Sequence, residues 1–365
     1  MDISKIPIKN RKDEHILLVS TENVESNKTT WLEHAKFVHN GLPELNLTDI
    51  KLSCDLLGKK ISAPVIIGAI TGGTELAKKI NTTLAKAAQK YNIPMMVGSQ
   101  RAILRHPEAK ESFSIVRKSA PDIPIIGNIG IAQVAVSKNL DYIQELIDNI
   151  DADALAIHLN LIQEVIQPEG DNTFAGALEK IEEIKDQYNI PIIIKETGCG
   201  ISKEVAERLV DLGVDIIDVS GVGGTSWAAV EYYRAKKQKE KSKMELGKVY
   251  WDWGIPTAAS IIEVSSVFKK QSSTKIIGSG GIRNGVDIAK TLRLGADFAA
   301  LARPFLMVAL EGQKSIYEFI EQTIKELKIA MLLAKSRNIE ELKKAPIVIQ
   351  SSLKEWLKAR KIEFQ

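Results

Sequence analysis

Cysteine is nearly missing: Cys54 and Cys199 are the only two in 365 residues. Two thiols build neither a disulfide framework nor a thiolate metal cluster, which suits a reducing compartment. A strong charge of either sign is also missing. Forty-nine Lys and Arg face 46 Asp and Glu, and the formal net charge of +3 is too small to imply nucleic-acid binding. Long apolar runs are missing as well. The best, ADFAALARPFLMVAL (296–310), carries Asp297 and Arg303, so no membrane span is expected. The N-terminal MDISKIPIKNRKDEH is charged and lacks the apolar region of a signal peptide. A hydrophobic share of 44% and a charged share of 26% are ordinary globular values, so the expectation is a soluble cytoplasmic protein.

What is present is a repeat. Eight short β-branched runs each precede a helical pattern: 64–73, 93–101, 123–130, 152–160, 190–198, 214–221, 274–281 and 296–304. Near-continuous apolar strands belong to parallel sheets buried on both faces. Between them, Ile181, Ile184 and Tyr188 recur at helical spacing, as do Val205, Leu209 and Leu212. Gly213 and Gly295 fall just before the sixth and eighth runs, where a helix end needs a left-handed residue. Eight strand–helix units in series predict a closed (β/α)8 TIM barrel of the α/β class; a doubly wound open sheet is the alternative.

Two segments fall outside the repeat. Residues 1–60 form an N-terminal extension, leaving 61–365 for the barrel and its C-terminal helices. Residues 222–256 make an unusually long loop after strand six, expected to be a functional lid or disordered. The run RAKKQKEKSK (234–243) reads as a solvated helix face or a mobile tip.

Nearly every run ends in polar residues that a core does not require. These are Thr71-Gly72-Gly73, Ser99-Gln100-Arg101, Asn128, His158 with Asn160, Lys195-Glu196, Ser220, Ser279-Gly280-Gly281 and Arg303. In parallel barrels the active site is built at that C-terminal rim, from several strands at once. GSGGIRNG (278–285) places small residues where amides can approach an anion ahead of a helix N-terminus, and ALARPF (300–305) offers a second set. Glycines of this kind also serve plain tight turns; the pairing of the two segments is what points to a phosphate. Lys195 admits three roles: an ion pair, a Schiff base, or a fixed cation beside a cofactor that becomes anionic.

His158 and Asn160, two apart on strand four, point to one face, and Gln163 and Glu164 crowd the same exit. Glu164 has no companion carboxylate at ligand spacing, so it would hold Mg²⁺ only with waters or a substrate phosphate completing the shell. Arg11 and Lys12 of NRKDEH (10–15) matter if that arm folds over a phosphate-bearing ligand, which Arg101 would meet from the other side.

Taken in order, NRKDEH, the TGG after strand one, GSQR, HLNLIQE, IKETG, VSGVGGTSW and GSGGIR resemble the type 2 isopentenyl-diphosphate isomerase family. HLNLIQE with GSQR is the discriminating pair; GSGGIR alone fits many FMN-binding barrels. The resemblance implies an FMN-dependent TIM barrel that converts isopentenyl diphosphate to dimethylallyl diphosphate with Mg²⁺. The reduced flavin would act as acid and base, and a reductant such as NADPH would prime it. It further implies that Arg11 and Lys12 bind the diphosphate and that Ser99, Gln100 and Arg101 lie between flavin and substrate. Gln163 would contact the substrate, alongside His158 and Asn160, and Glu164 the metal. Thr71, Gly72, Gly73, Asn128, Lys195, Ser220 and Thr225 match flavin contacts. Gly280, Gly281, Arg283, Ala302 and Arg303 match the FMN phosphate site. Lys195, His158 and Gln163 would support a reaction in which no side chain is an assigned acid. The N-terminal extension would close over the site, and a homo-oligomer, tetramer or octamer, is implied. The rivals are an FMN-dependent dehydrogenase or oxidase on the same scaffold and a barrel that only binds a phosphorylated metabolite.

Overall fold

The computed structural model describes residues 11–167, 170–268 and 274–364. Asn10 of the NRKDEH motif and the rest of 1–10 lie outside them. Each of the eight predicted runs contains one strand: β1 (Val65–Ile67), β2 (Met95–Met96), β3 (Ile125–Gly130), β4 (Ala154–Leu159), β5 (Ile192–Glu196), β6 (Ile216–Asp218), β7 (Lys275–Ser279) and β8 (Phe298–Leu301). Every neighbouring pair is parallel, and β8 pairs with β1, so the sheet closes on itself. The open-sheet alternative is excluded.

The helices used below are α1 (Arg11–Thr21), α2 (Glu75–Tyr91), α3 (Glu111–Ser119), α4 (Tyr142–Ile150), α5 (Ala177–Gln187), α6 (Lys203–Asp211), α7 (Trp227–Gln238), α8 (Lys241–Val249), α9 (Thr257–Ser265), α10 (Gly285–Arg293) and α11 (Arg303–Glu311). From α2 onward they form the outer ring, apart from α7 and α8. Gly213 and Gly295 have φ of 69° and 123°, in the left-handed region expected between helix and strand.

Alternation along each strand separates two cores. Ile126, Ala154, Ala156, Ile193, Ile216 and Ile277 fill the barrel interior, whereas Ile125, Leu155, Ile157, Ile192, Ile194, Ile217 and Ile276 face the helices. Leu56 and Ile61 join the inner cluster from a hairpin, Cys54–Leu56 with Lys59–Ile61, that leads into β1. The next inward position on each long strand is polar: Asn128, His158, Lys195, Asp218 and Ser279. The interior is therefore apolar at one end and polar at the mouth.

The expected long loop 222–256 is instead largely helical. Hydrophobic and aromatic contacts explain the order: Tyr232 and Tyr233 of α7 pack edge-on against Trp251, at 5.6 and 6.1 Å between ring centroids. Nor is RAKKQKEKSK wholly solvated, because Arg234 is buried in an ion network with α1. Among the described residues no helix is long and apolar enough to cross a membrane.

Candidate active site

A cavity of about 460 Å³ opens at the strands' C-terminal ends. Pairing register makes neighbours of its floor residues: His158 is opposite Lys195, and Lys195 is opposite Asp218, so all three side chains enter the mouth side by side from consecutive strands. Asn128 Nδ2 donates to the Val97 carbonyl at 3.0 Å, which leaves Oδ1 to accept from His158 Nδ1 at 2.8 Å. Burial, then the cations Lys195, Lys12 and Arg101, push the His158 pKa down to about 3, so the ring is neutral. Lys195 Nζ donates to the Glu196 carbonyl at 2.6 Å, and its charge acts on the neighbouring carboxylates of Asp218 and Glu196. Asp218 accepts from Ser279 Oγ, and burial raises its pKa.

One wall is cationic. Arg11, Lys12 and Arg101 line it, the first two from the opening turn of α1. Burial, with Arg11 and Arg101 nearby, lowers the Lys12 pKa to about 8. Glu164 Oε1 accepts from Asn160 Nδ2 at 2.9 Å, with Arg101 Nη1 3.7 Å away. Its Oε2 accepts from Gln167 Nε2 at 2.6 Å and from the Asp171 amide at 3.0 Å. Arg101 Nη1 and Asn160 Oδ1 are buried without a hydrogen-bond partner, as is Thr71 Oγ1 at the β1 exit. Orphaned polar atoms on one cavity wall point to a ligand that satisfies them.

The opposite wall is a crowded set of glycines. A Cβ on Gly280 would fall 2.2 Å from the Gly221 carbonyl, on Gly281 2.3 Å from that of Gly223, and on Gly224 2.5 Å from the Gly281 amide. Only glycine permits the two loops to pack backbone against backbone here. Among the described residues the amides of Gly280, Gly281 and Ile282 find no protein acceptor, while the residues themselves face the cavity beside Arg283 and Arg303. This donor set fits a phosphate.

The N-terminal helix α1 closes one side through buried charge. Arg234 Nε meets Glu14 at 3.0 Å, its Nη1 meets Glu231 at 2.7 Å, and His15 Nε2 lies 3.2 Å from Glu231. Gln163 Nε2 donates to the same Glu231 at 3.4 Å, and His15 packs edge-on against Trp227 at 5.2 Å between ring centroids.

A family model described as FMN-dependent dehydrogenase matches residues 19–160 and 150–349. The isopentenyl-diphosphate delta-isomerase of Pyrobaculum islandicum is 47% identical over 358 residues, covering 97% of this chain and 99% of that protein. The isomerase of Sulfurisphaera tokodaii is 45% identical, covering 99% and 96%. The chain belongs to the isopentenyl-diphosphate delta-isomerase family. Its FMN-dependent dehydrogenase match agrees with the type 2 branch expected from the motifs. Among solved structures a flavocytochrome b2 variant shares the fold, with a TM-score of 0.68 at 18% identity, covering 96% of this chain and 86% of that one.

The motifs of this isomerase family converge with three exceptions. Arg11, Lys12, Thr71, Ser99, Arg101, Asn128, His158, Asn160, Gln163, Glu164, Lys195, Ser220, Thr225, Gly280, Gly281, Arg283, Ala302 and Arg303 all line the one cavity. Gln100, expected between flavin and substrate, is instead fully buried behind it, donating to the Leu146 carbonyl and accepting from the Asn128 amide, both at 2.9 Å. Gly72 and Gly73, expected at the flavin, turn toward α3: a Cβ on Gly72 would lie 1.9 Å from the Phe113 ring, and the Gly73 amide donates to Ser112 Oγ. Sequence reading missed Glu25, Gln133, Gln167, Asp218 and Trp227 on the cavity wall and Glu231 behind it. Asp218, at the end of a strand with Ser220 two positions on, carried the signal used elsewhere; Glu25 and Glu231 carried none.

Proposed function

We propose that the cavity holds FMN and isopentenyl diphosphate together and that the protein interconverts isopentenyl and dimethylallyl diphosphate. The observation behind this reading is that two separate groups of cations and free amides line one polar barrel mouth. The glycine wall with Arg283 and Arg303 takes the FMN phosphate; Arg11, Lys12 and Arg101 take the diphosphate. Reduced FMN, when bound, supplies the proton donor and acceptor that move the double bond.

The chain's own residues then bind, orient and shield. Lys195 presents a fixed cation on the barrel floor, where it opposes negative charge on a reduced ring. The ammonium is oriented there by the Glu196 backbone carbonyl. His158 stays neutral and is locked by Asn128, so it orients a ligand without adding charge. Remote attachment through the diphosphate fixes the alkene, and α1 excludes water from a carbocation-like transition state.

For Mg²⁺, no group of three His, Cys, Asp or Glu among the described residues forms a metal site. The hard oxygens present, Glu164 Oε1 and the partnerless Asn160 Oδ1, fit an ion whose shell is completed by water and the substrate diphosphate. A reductant such as NADPH keeps the cofactor reduced and is not consumed each turn.

The test is anaerobic incubation with FMN, NADPH, Mg²⁺ and isopentenyl diphosphate, followed by NMR. Many products per NADPH support the isomerase; one NADPH per product would instead indicate a dehydrogenase.

A further inference from the structure

The glycine wall already holds an anion of the protein's own. Glu25 lies on a strap between α1 and the barrel, and its carboxylate lines the cavity. Its Oε1 meets Arg303 Nη1 at 2.8 Å and its Oε2 meets Arg283 Nη2 at 3.0 Å. One carboxylate thus bridges the two guanidinium groups assigned above to the cofactor phosphate. From this geometry we infer that Glu25 is an internal competitor of that phosphate, setting how tightly a phosphate monoester binds. The inference rests on the placement of the phosphate at Gly280, Gly281, Arg283 and Arg303.

Two effects of the carboxylate oppose each other: it could orient the arginines for an incoming phosphate, or it could repel that phosphate. The hydrogen bonds decide for repulsion. Arg303 Nε is held by the Val19 carbonyl at 3.1 Å, and Arg283 Nη1 by the carbonyls of Gly281 at 2.7 Å and Gly223 at 3.2 Å. Both guanidinium groups therefore keep their orientation without Glu25.

The strap is independently anchored too. The Ser26 amide donates to the Gly224 carbonyl, the Ser226 amide to that of Val24, and Trp251 Nε1 to the Glu25 carbonyl. Ser26 Oγ also reaches Asp252 at 2.8 Å. Removing the charge changes the electrostatics and leaves the scaffold in place. The carboxylate neutralises a pair of arginines that would otherwise repel one another, and toward a docking dianion it is a like charge at short range.

The experiment compares FMN with riboflavin, which lacks the phosphate, by quenching of flavin fluorescence on the apoprotein. Glu25→Gln should bind FMN about tenfold more tightly and riboflavin unchanged, the size expected for removing one like charge nearby. Inorganic phosphate, titrated directly into the apoprotein by calorimetry, should likewise bind the variant more tightly than the wild type. Glu25→Asp, too short to span both arginines, supplies a second variant and should shift FMN affinity in the same direction. Unchanged or weaker FMN binding in both variants would overturn the inference, weaker binding identifying Glu25 as a positioning residue. If the wild-type protein bound FMN and riboflavin equally, the phosphate placement itself would fail, whatever Glu25 does.

Discussion

Lys12 makes the affinity for a diphosphate depend on pH in a way the structure predicts in size. The side chain enters the cavity from the first turn of α1, where burial and then its neighbours Arg11 and Arg101 bring its pKa down to about 8. An anion binds the protonated ammonium and not the amine. Affinity is therefore full below pH 8 and is lost as pH rises through it. At pH 9 about one molecule in eleven carries the proton, so the Kd should rise roughly tenfold between pH 7 and pH 9. Titration calorimetry on the oxidised, non-turning-over holoenzyme with isopentenyl diphosphate measures this directly. Run in two buffers of different ionisation enthalpy, it should show proton uptake of about one half at pH 8. Lys12→Arg, charged throughout the range, should flatten the profile. A wild-type Kd constant from pH 7 to 9.5, with no proton taken up, would show that Lys12 does not face the diphosphate or is not perturbed.

Arg234→Met should destabilise the fold by about 3–5 kcal/mol in urea denaturation, because it strands Glu231 and Glu14 in a buried site. Gly280→Ala places a Cβ 2.2 Å from the Gly221 carbonyl at a φ of 94°, costing about 1–3 kcal/mol, and should release FMN with the circular dichroism of the barrel retained. Glu164→Gln should move the midpoint of the Mg²⁺ titration of turnover upward by about tenfold; an unmoved midpoint would remove Glu164 from the metal shell.

Much of the architecture was legible along the chain because barrel strands are buried on both faces and their helices are amphipathic. Continuous runs such as Ile192–Ile194 announce themselves without knowledge of any neighbour. The helices inside the long connection 222–256 are not legible there, for the opposite reason. Its helices are held by Trp251 and by the pairing of Arg234 with Glu14, which is 220 residues away. Nothing local distinguishes such an arginine from the solvated lysines around it.

The candidate site divides in the same manner. Polar residues at strand ends are a local pattern, and the period of two decides that Asn128, His158, Lys195 and Asp218 share the inward face. Which of them become neighbours, however, depends on pairing register, a property of two strands at once. Gln100 and Gly72 show the limit from the other side: each follows a strand like its neighbours, yet the backbone turns them into the protein. Residues alone settled the barrel, its period and the chemistry gathered at its rim, since these follow from side-chain type and spacing. Folding alone brought Glu25 to two arginines more than 250 positions away, because chain closure and not sequence proximity sets which charges meet.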